Sequence, residues 1–230
     1  MVSSIAGRLA HIRSRMEAAA AAAGRSPTSV RLIAVSKTFP LDSIREAHAA
    51  GQHDFGENRV QEGLQKIAQA TDLDIRWHLL GHVQGNKARK AGQSFAMIQS
   101  VDSLDILRKL DSSAEDVGRI VELLVQVDLA GESTKSGARP DDVPAILEAA
   151  EHCRAARVVG LMTIPPRPET PEDARPWFRR LRELRDLWLQ DGVPPRLLAE
   201  LSMGMSGDFE VAISEGATIV RVGTAIFGSR

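Results

Sequence analysis

The chain has no tyrosine, one cysteine and only 4% aromatic residues in 230 positions. Without a phenol, any mechanism that takes a tyrosine as acid or base is closed to this chain acting alone. A lone Cys153 forms no intramolecular disulfide, so a reducing, cytoplasmic setting is expected. Neither charge sign dominates: 29 Lys plus Arg face 30 Asp plus Glu, a net charge of −1. No general field therefore gathers phosphate backbone or anionic lipid, and neither a nucleic-acid nor a membrane partner is expected. No apolar run approaches the roughly 20 residues that cross a bilayer, and the first 23 residues lack a signal peptide's apolar stretch. With 11 prolines, 43% apolar and 26% charged residues, the composition is that of a folded protein and not of a disordered one.

What is present is a regular alternation. Short β-branched runs alternate with longer amphipathic ones, the pattern of parallel strands joined by helices. Eight strands are expected: Arg31 to Thr38, His53 to Asn58, Arg76 to His82, Met97 to Asp102, Val121 to Leu129, Val158 to Ile164, Leu198 to Met203 and Thr218 to Gly223. The clearest helices are Leu41 to Ala50, Arg59 to Gln69, Ser103 to Glu115, Asp141 to Cys153, Pro171 to Gln190 and Gly207 to Glu215, with Ser103 and Asp141 as candidate caps. An additional N-terminal helix, Ser3 to Ala23, carries an alanine run that reads as helix propensity. Eight such units in this length predict an α/β fold, a single (β/α)8 TIM barrel over residues 1–230. An open doubly wound sheet is the alternative. The proline-studded segment Ile164 to Pro171 reads as a stiff βα loop.

Of six lysines, Lys37 alone follows an apolar strand at its C-terminal end. Strand alternation puts Ile33, Val35 and Lys37 on one face, and an inward Lys37 stands at the mouth where barrels keep their active sites. Desolvation there lowers an amine's pKa and exposes the nucleophile that condenses with an aldehyde. A lysine that pairs with Glu57 or reaches for water is the competing reading, and position alone leaves the two balanced. The last strand repeats the logic, with Ile219, Arg221 and Gly223 on one face and a permanently charged guanidinium near the mouth. Gly223 and Thr224 then open a short turn, and the seventh strand runs into Met203-Gly204-Met205-Ser206-Gly207-Asp208. Barrel phosphate sites recur after strands seven and eight, so the two loops together favour phosphate binding over a simple helix cap.

Other signals are weaker. Gly131 to Gly137 lacks the glycine that a P-loop requires before its lysine, because Thr134 precedes Lys135. His78 and His82 share a strand face without a third ligand and are expected to be structural, so no metal is expected. Cys153 reads as a buried inert thiol, the Asn86 to Lys90 cluster as a solvated helix face, and the Arg175 to Arg185 helix as an exposed charged face.

Six segments taken together resemble the YggS/PROSC family of pyridoxal 5′-phosphate homeostasis proteins: AVSKT (34–38), FGENRVQE (55–62), WHLLGHVQGNK (77–87), MTIPP (162–166), LSMGMSGDFEVAISEGAT (201–218) and VRVGTAIFG (220–228). The resemblance implies a barrel of the alanine-racemase N-terminal type with pyridoxal 5′-phosphate (PLP) held as an internal aldimine on Lys37. It further implies Ser206, Gly223 and Thr224 at the phosphate, Arg221 near the pyridine nitrogen and Asn58 close to the ring. The expected function is a non-catalytic carrier and buffer of PLP in vitamin B6 homeostasis, a monomer with PLP-dependent apoenzymes as partners and with no catalytic residues. The alternative is an enzyme: a fold-type III, racemase-like PLP protein, or an aldolase using Lys37 without cofactor.

Overall fold

The computed structural model describes residues 4–131 and 136–228. Eight strands run parallel, β1 (Arg31–Val35), β2 (Asp54–Glu57), β3 (Arg76–Leu79), β4 (Met97–Val101), β5 (Val121–Gln126), β6 (Ala156–Met162), β7 (Glu200–Ser202) and β8 (Ile219–Val222). Each pairs with the next, and β8 pairs back on β1 with Ile33 opposite Arg221. That last pairing closes the barrel and excludes the open sheet. Between the strands lie α2 (Leu41–Ala49), α3 (Val60–Gln69), α4 (Ala88–Ser94), α5 (Leu104–Glu115), α6 (Val143–Ala150), α7 (Arg175–Gln190) and α8 (Phe209–Ser214), while α1 (Ile5–Ala22) precedes β1 and α9 (Thr224–Phe227) follows β8. Residue Lys135 and the expected helix start at Ser3 lie outside the described residues.

Several strands end sooner than the apolar pattern suggests. β1 stops at Val35 because Ser36 to Phe39 form a turn, with the Phe39 N–H donating to the Ser36 carbonyl at 3.0 Å. Lys37 therefore stands on the turn at the mouth, two residues beyond the strand. β3 stops at Leu79, where Gly81 brings the chain against the Asn58 backbone. A Cβ at Gly81 would lie 2.0 Å from the Asn58 carbonyl oxygen, so only glycine allows this approach. His82 is thus not on the strand with His78; it is half-exposed beyond it and bonds Asp102 at 3.0 Å.

The barrel interior holds Ile33, Met97, Leu124, Met162 and Ile219, all fully buried. The inward parity expected for Ile33 and Ile219 is the observed one. Outside, α1 presents Ile5, Leu9, Ile12, Met16 and Ala20 as one buried stripe, capped by Ser4, whose hydroxyl accepts the Gly7 N–H at 3.1 Å. Because α9 has only four residues, it does not cover the β8–β1 seam. Helix α1 packs there instead, tied to the α2 end by Arg13 on the Ala50 carbonyl (3.0 Å), while Arg25, just past α1, reaches the Ile213 and Ala217 carbonyls (2.9 and 2.8 Å).

Three local expectations need correction. Asp141 does not cap α6: it sits in a 3-10 turn, Pro140–Asp142, and Asp142 precedes the helix without a side-chain bond. Cys153 lies past the end of α6 and is half-buried, although burial beside Asp111 pushes its thiol up to about 11, in keeping with an inert thiol. The arginine-rich α7 is not simply a solvated face. Arg175 and Arg182 bond the buried carboxylate of Glu215 at 2.8 Å each, with Arg179 at 3.4 Å, fastening α7 to the end of α8. Burial alone would raise the Glu215 pKa, but the hydrogen bonds from Arg175 and Arg179 hold it below the ordinary glutamate value. A depressed carboxyl pKa contributes stability that is present above the unfolded pKa and lost as pH falls through the folded one. Urea unfolding across an acid pH series is expected to show this loss below the ordinary glutamate range, and Glu215→Gln to have a flatter acid limb; parallel limbs would show that the cluster adds nothing.

Candidate functional site

One cavity of about 650 Å³ opens at the C-terminal ends of β1, β2, β3, β6, β7 and β8. This is the size of a small-molecule or cofactor pocket. Lys37, Asn58, Ser206, Arg221, Gly223 and Thr224 all line it, so the six residues singled out in the sequence converge although they are spread over 188 positions from 37 to 224. The apolar walls are Val35, Phe39, Leu80, Ile164 and Met205. Phe39 stacks on Phe227 of α9, ring centroids 5.0 Å apart, so the chain's last helix braces the loop after β1. Strand parity placed Val35 on the face of Ile33 and would have placed Leu80 on that of His78; Met205 and Ile164 sit on loops and carry no periodic signal.

Arg221 projects from β8 into the barrel and is buried. Its Nη1 donates to Ser202 Oγ at 2.6 Å and its Nη2 to the Thr163 carbonyl at 2.9 Å. Ser202 Oγ donates to Gln99 Oε1 at 2.7 Å, Gln99 Nε2 meets His78 Nδ1 at 3.5 Å, and His78 Nε2 bonds Asp54 Oδ1 at 2.7 Å. Burial pushes the His78 pKa down, favouring the neutral ring. Nε2 then carries the proton, and every donor in the chain points away from the cation and toward Asp54. Burial also pulls Arg221 down to about 10, opposed by Asp208, which leaves it cationic at neutral pH. His78 is therefore structural, as its strand position suggests. Its partners Gln99 and Ser202 escaped notice because single polar residues in apolar strands leave no pattern.

The loop after β7 is shaped by Gly204 (φ +93°) and closed by Asp208, whose Oδ1 accepts the Met205 N–H at 2.6 Å. This turns the Ser206 hydroxyl toward α9, where it accepts the Gly223 and Ala225 N–H groups at 3.3 and 3.5 Å. These long contacts mark backbone donors that a stronger acceptor would engage better. The lining thus combines two basic side chains, the Ser206 and Thr224 hydroxyls, the Asn58 amide and weakly engaged backbone N–H groups, and it contains no carboxylate. Such a set suits a dianion joined to an aldehyde: the amides take the anion, and the amine of Lys37 takes the carbonyl carbon. Among the described residues, no group of three metal-ligating side chains gathers.

The profile described as "Alanine racemase, N-terminal domain" matches residues 8–230. The pyridoxal phosphate homeostasis protein of Pseudomonas aeruginosa is 45% identical over 229 residues, covering 100% of this chain and 97% of its own. The chain belongs to the pyridoxal phosphate homeostasis protein family. The family's Aquifex aeolicus member is 43% identical over 97% of both chains. A solved structure of PipY from Synechococcus elongatus PCC7942 with PLP bound is 45% identical, covers 98% of this chain and 100% of its own, and superposes with a TM-score of 0.86. The (β/α)8 barrel of the alanine-racemase N-terminal type and the leading helix, both expected from the sequence, are what this chain has.

Because Ser202 is fully buried between Arg221 and Gln99, Ser202→Ala leaves a donor and an acceptor unpaired. A loss of about 1–3 kcal/mol in unfolding free energy is expected by urea titration, against little change for the surface control Ser112→Ala. Equal effects would show that the buried chain is not a coupled support for Arg221.

Proposed function

We propose that this protein binds PLP at the barrel mouth, covalently through Lys37, and serves as a non-catalytic carrier and buffer of the cofactor in vitamin B6 homeostasis. The observation that carries the reading is the single cavity in which an amine, a cationic guanidinium and an anion-ready pair of loops meet without any carboxylate. PLP supplies a reactive aldehyde together with a phosphate dianion. Lys37 is the amine positioned for the aldehyde. Ser206, Gly223 and Thr224 hold the phosphate through hydroxyl and backbone donors, Asn58 borders the ring, and Arg221 stands near the ring nitrogen. The name of the Pseudomonas aeruginosa relative and the PLP-bound PipY structure support this assignment.

The lining also supports carriage over turnover. Reactions that move a proton across both faces of a bound amino acid need two acid–base groups. Apart from Lys37 the lining contains no histidine, carboxylate or thiol, and the chain has no tyrosine. A permanent cation beside the ring nitrogen opposes its protonation and so weakens the ring as an electron sink. The protein is further read as a single barrel domain over residues 1–230 and as a monomer that hands PLP to apoenzymes. Its lone cysteine is compatible with a reducing cytoplasm.

Borohydride treatment of the PLP-loaded protein followed by peptide mass mapping is expected to find the pyridoxyl adduct on Lys37, and Lys37→Ala to abolish it. In direct titration PLP is expected to bind at least about tenfold more tightly than pyridoxal, and Ser206→Ala to lose on the order of 1–3 kcal/mol of that advantage. An adduct found only on another lysine, or equal affinities for PLP and pyridoxal, would contradict the assignment.

A further inference from the structure

Lys37 sits between two residues that are pinned from outside the cavity. Thr38 has φ +67°, the only positive φ of a non-glycine among the described residues. In a turn of the Ser36 to Phe39 kind this third position ordinarily takes glycine, and a β-branched residue there is strained. Strain of that sort persists only where the surroundings over-determine it. The surroundings are a cluster packed between β1, β2 and α3, on the side of the wall away from the cavity.

Glu62 accepts the Thr38 N–H at 2.5 Å and Lys66 Nζ at 2.8 Å. Lys66 Nζ also donates to the Ser36 carbonyl at 2.8 Å and to Glu57 Oε1 at 2.8 Å, so its three N–H bonds are all used. Ser36 Oγ donates to the same Glu57 oxygen at 2.7 Å. Glu57 is fully buried and Lys66 nearly so, and Glu57 Oε2 has no hydrogen-bond partner among the described residues. An apolar trio would fill this space at no desolvation cost, so stability alone is a poor reason for a buried ion cluster. What it accomplishes is geometric. One ammonium holds the residue before Lys37, and one carboxylate holds the residue after it.

We propose that Glu62 and Lys66, supported by Glu57, are positioning residues that force Thr38 into the left-handed region and thereby aim Lys37 into the cavity. This rests on the reading of Lys37 as the covalent anchor. Glutamate and lysine four apart on α3 look from the sequence like an ordinary surface pair. The structure makes them the clamp on the neighbouring loop.

The test compares wild type, Glu62→Ala and Glu62→Ala/Thr38→Gly. Without PLP, the 13Cα and 13Cβ shifts of Thr38 report its backbone conformation. They are expected to be left-handed in wild type and to move to ordinary extended or helical values in Glu62→Ala. With limiting PLP, the rate of borohydride-trapped adduct formation on Lys37 is expected to fall about tenfold in Glu62→Ala and to recover in the double variant, since glycine adopts the turn without the clamp. A loss caused by general damage to α3 would not be repaired by glycine at position 38. Unchanged Thr38 shifts, an unchanged trapping rate, or a loss that Thr38→Gly does not repair would each overturn the clamp. Wild type that forms its adduct elsewhere than Lys37 contradicts the functional reading instead, and the Thr38 shifts then decide the clamp on their own.

Discussion

A guanidinium buried inside a closed barrel is the constraint around which this molecule is arranged. Arg221 enters from β8 with its charge shielded from water, and the barrel answers with the Thr163 carbonyl and with a file of side chains from β7, β4, β3 and β2 that ends at the Asp54 carboxylate. Removing a cation from water costs several kcal/mol unless such partners exist. The file explains why polar residues occupy inward positions in otherwise apolar strands. It also leaves Arg221 as a fixed charge on the cavity floor, which no lining carboxylate neutralises.

The two ends of the cavity are built by different physics. At Arg221 and Ser206 the donors belong to a strand and to two glycine-shaped loops, rigid elements that present charge and backbone N–H groups with little reorganisation. At Lys37 the backbone is strained and held from behind by Glu62 and Lys66. In the proposed function the amine that meets the aldehyde is aimed by this clamped turn, whereas the phosphate is met by the loops that follow the last two strands.

Much of this was legible before any coordinates. Strand parity grouped Lys37 with Ile33 and Val35, and Arg221 with Ile219, without deciding which face turned inward, and the loops after the last two strands pointed to the anion site that is proposed above. Less legible were the ends of the strands. The strand expected through Thr38 gives way to a turn after Val35, since a β-branched residue with positive φ contradicts every local preference. The role of α1 was also hidden: covering the β8–β1 seam is a need created by a four-residue α9, which no propensity reveals. Glu57 was readable only as a candidate partner for Lys37, and its bonds to Ser36 and Lys66 form across β1, β2 and α3, where no sequence pattern joins them. Arg175, Arg179 and Arg182 likewise looked solvent-facing until Glu215 was seen beneath them.

In the proposed function the fixed charge of Arg221 links the fold to carriage without turnover, and the protonation state of the ring nitrogen reads it directly. With PLP labelled with 15N at the pyridine position and bound to the wild-type protein, the nitrogen shift is expected to be that of an unprotonated ring across neutral pH. Arg221→Glu, which places a carboxylate at the same spot, should move it toward the protonated value. A protonated ring nitrogen in the wild-type protein at neutral pH would contradict the central role given to the buried guanidinium.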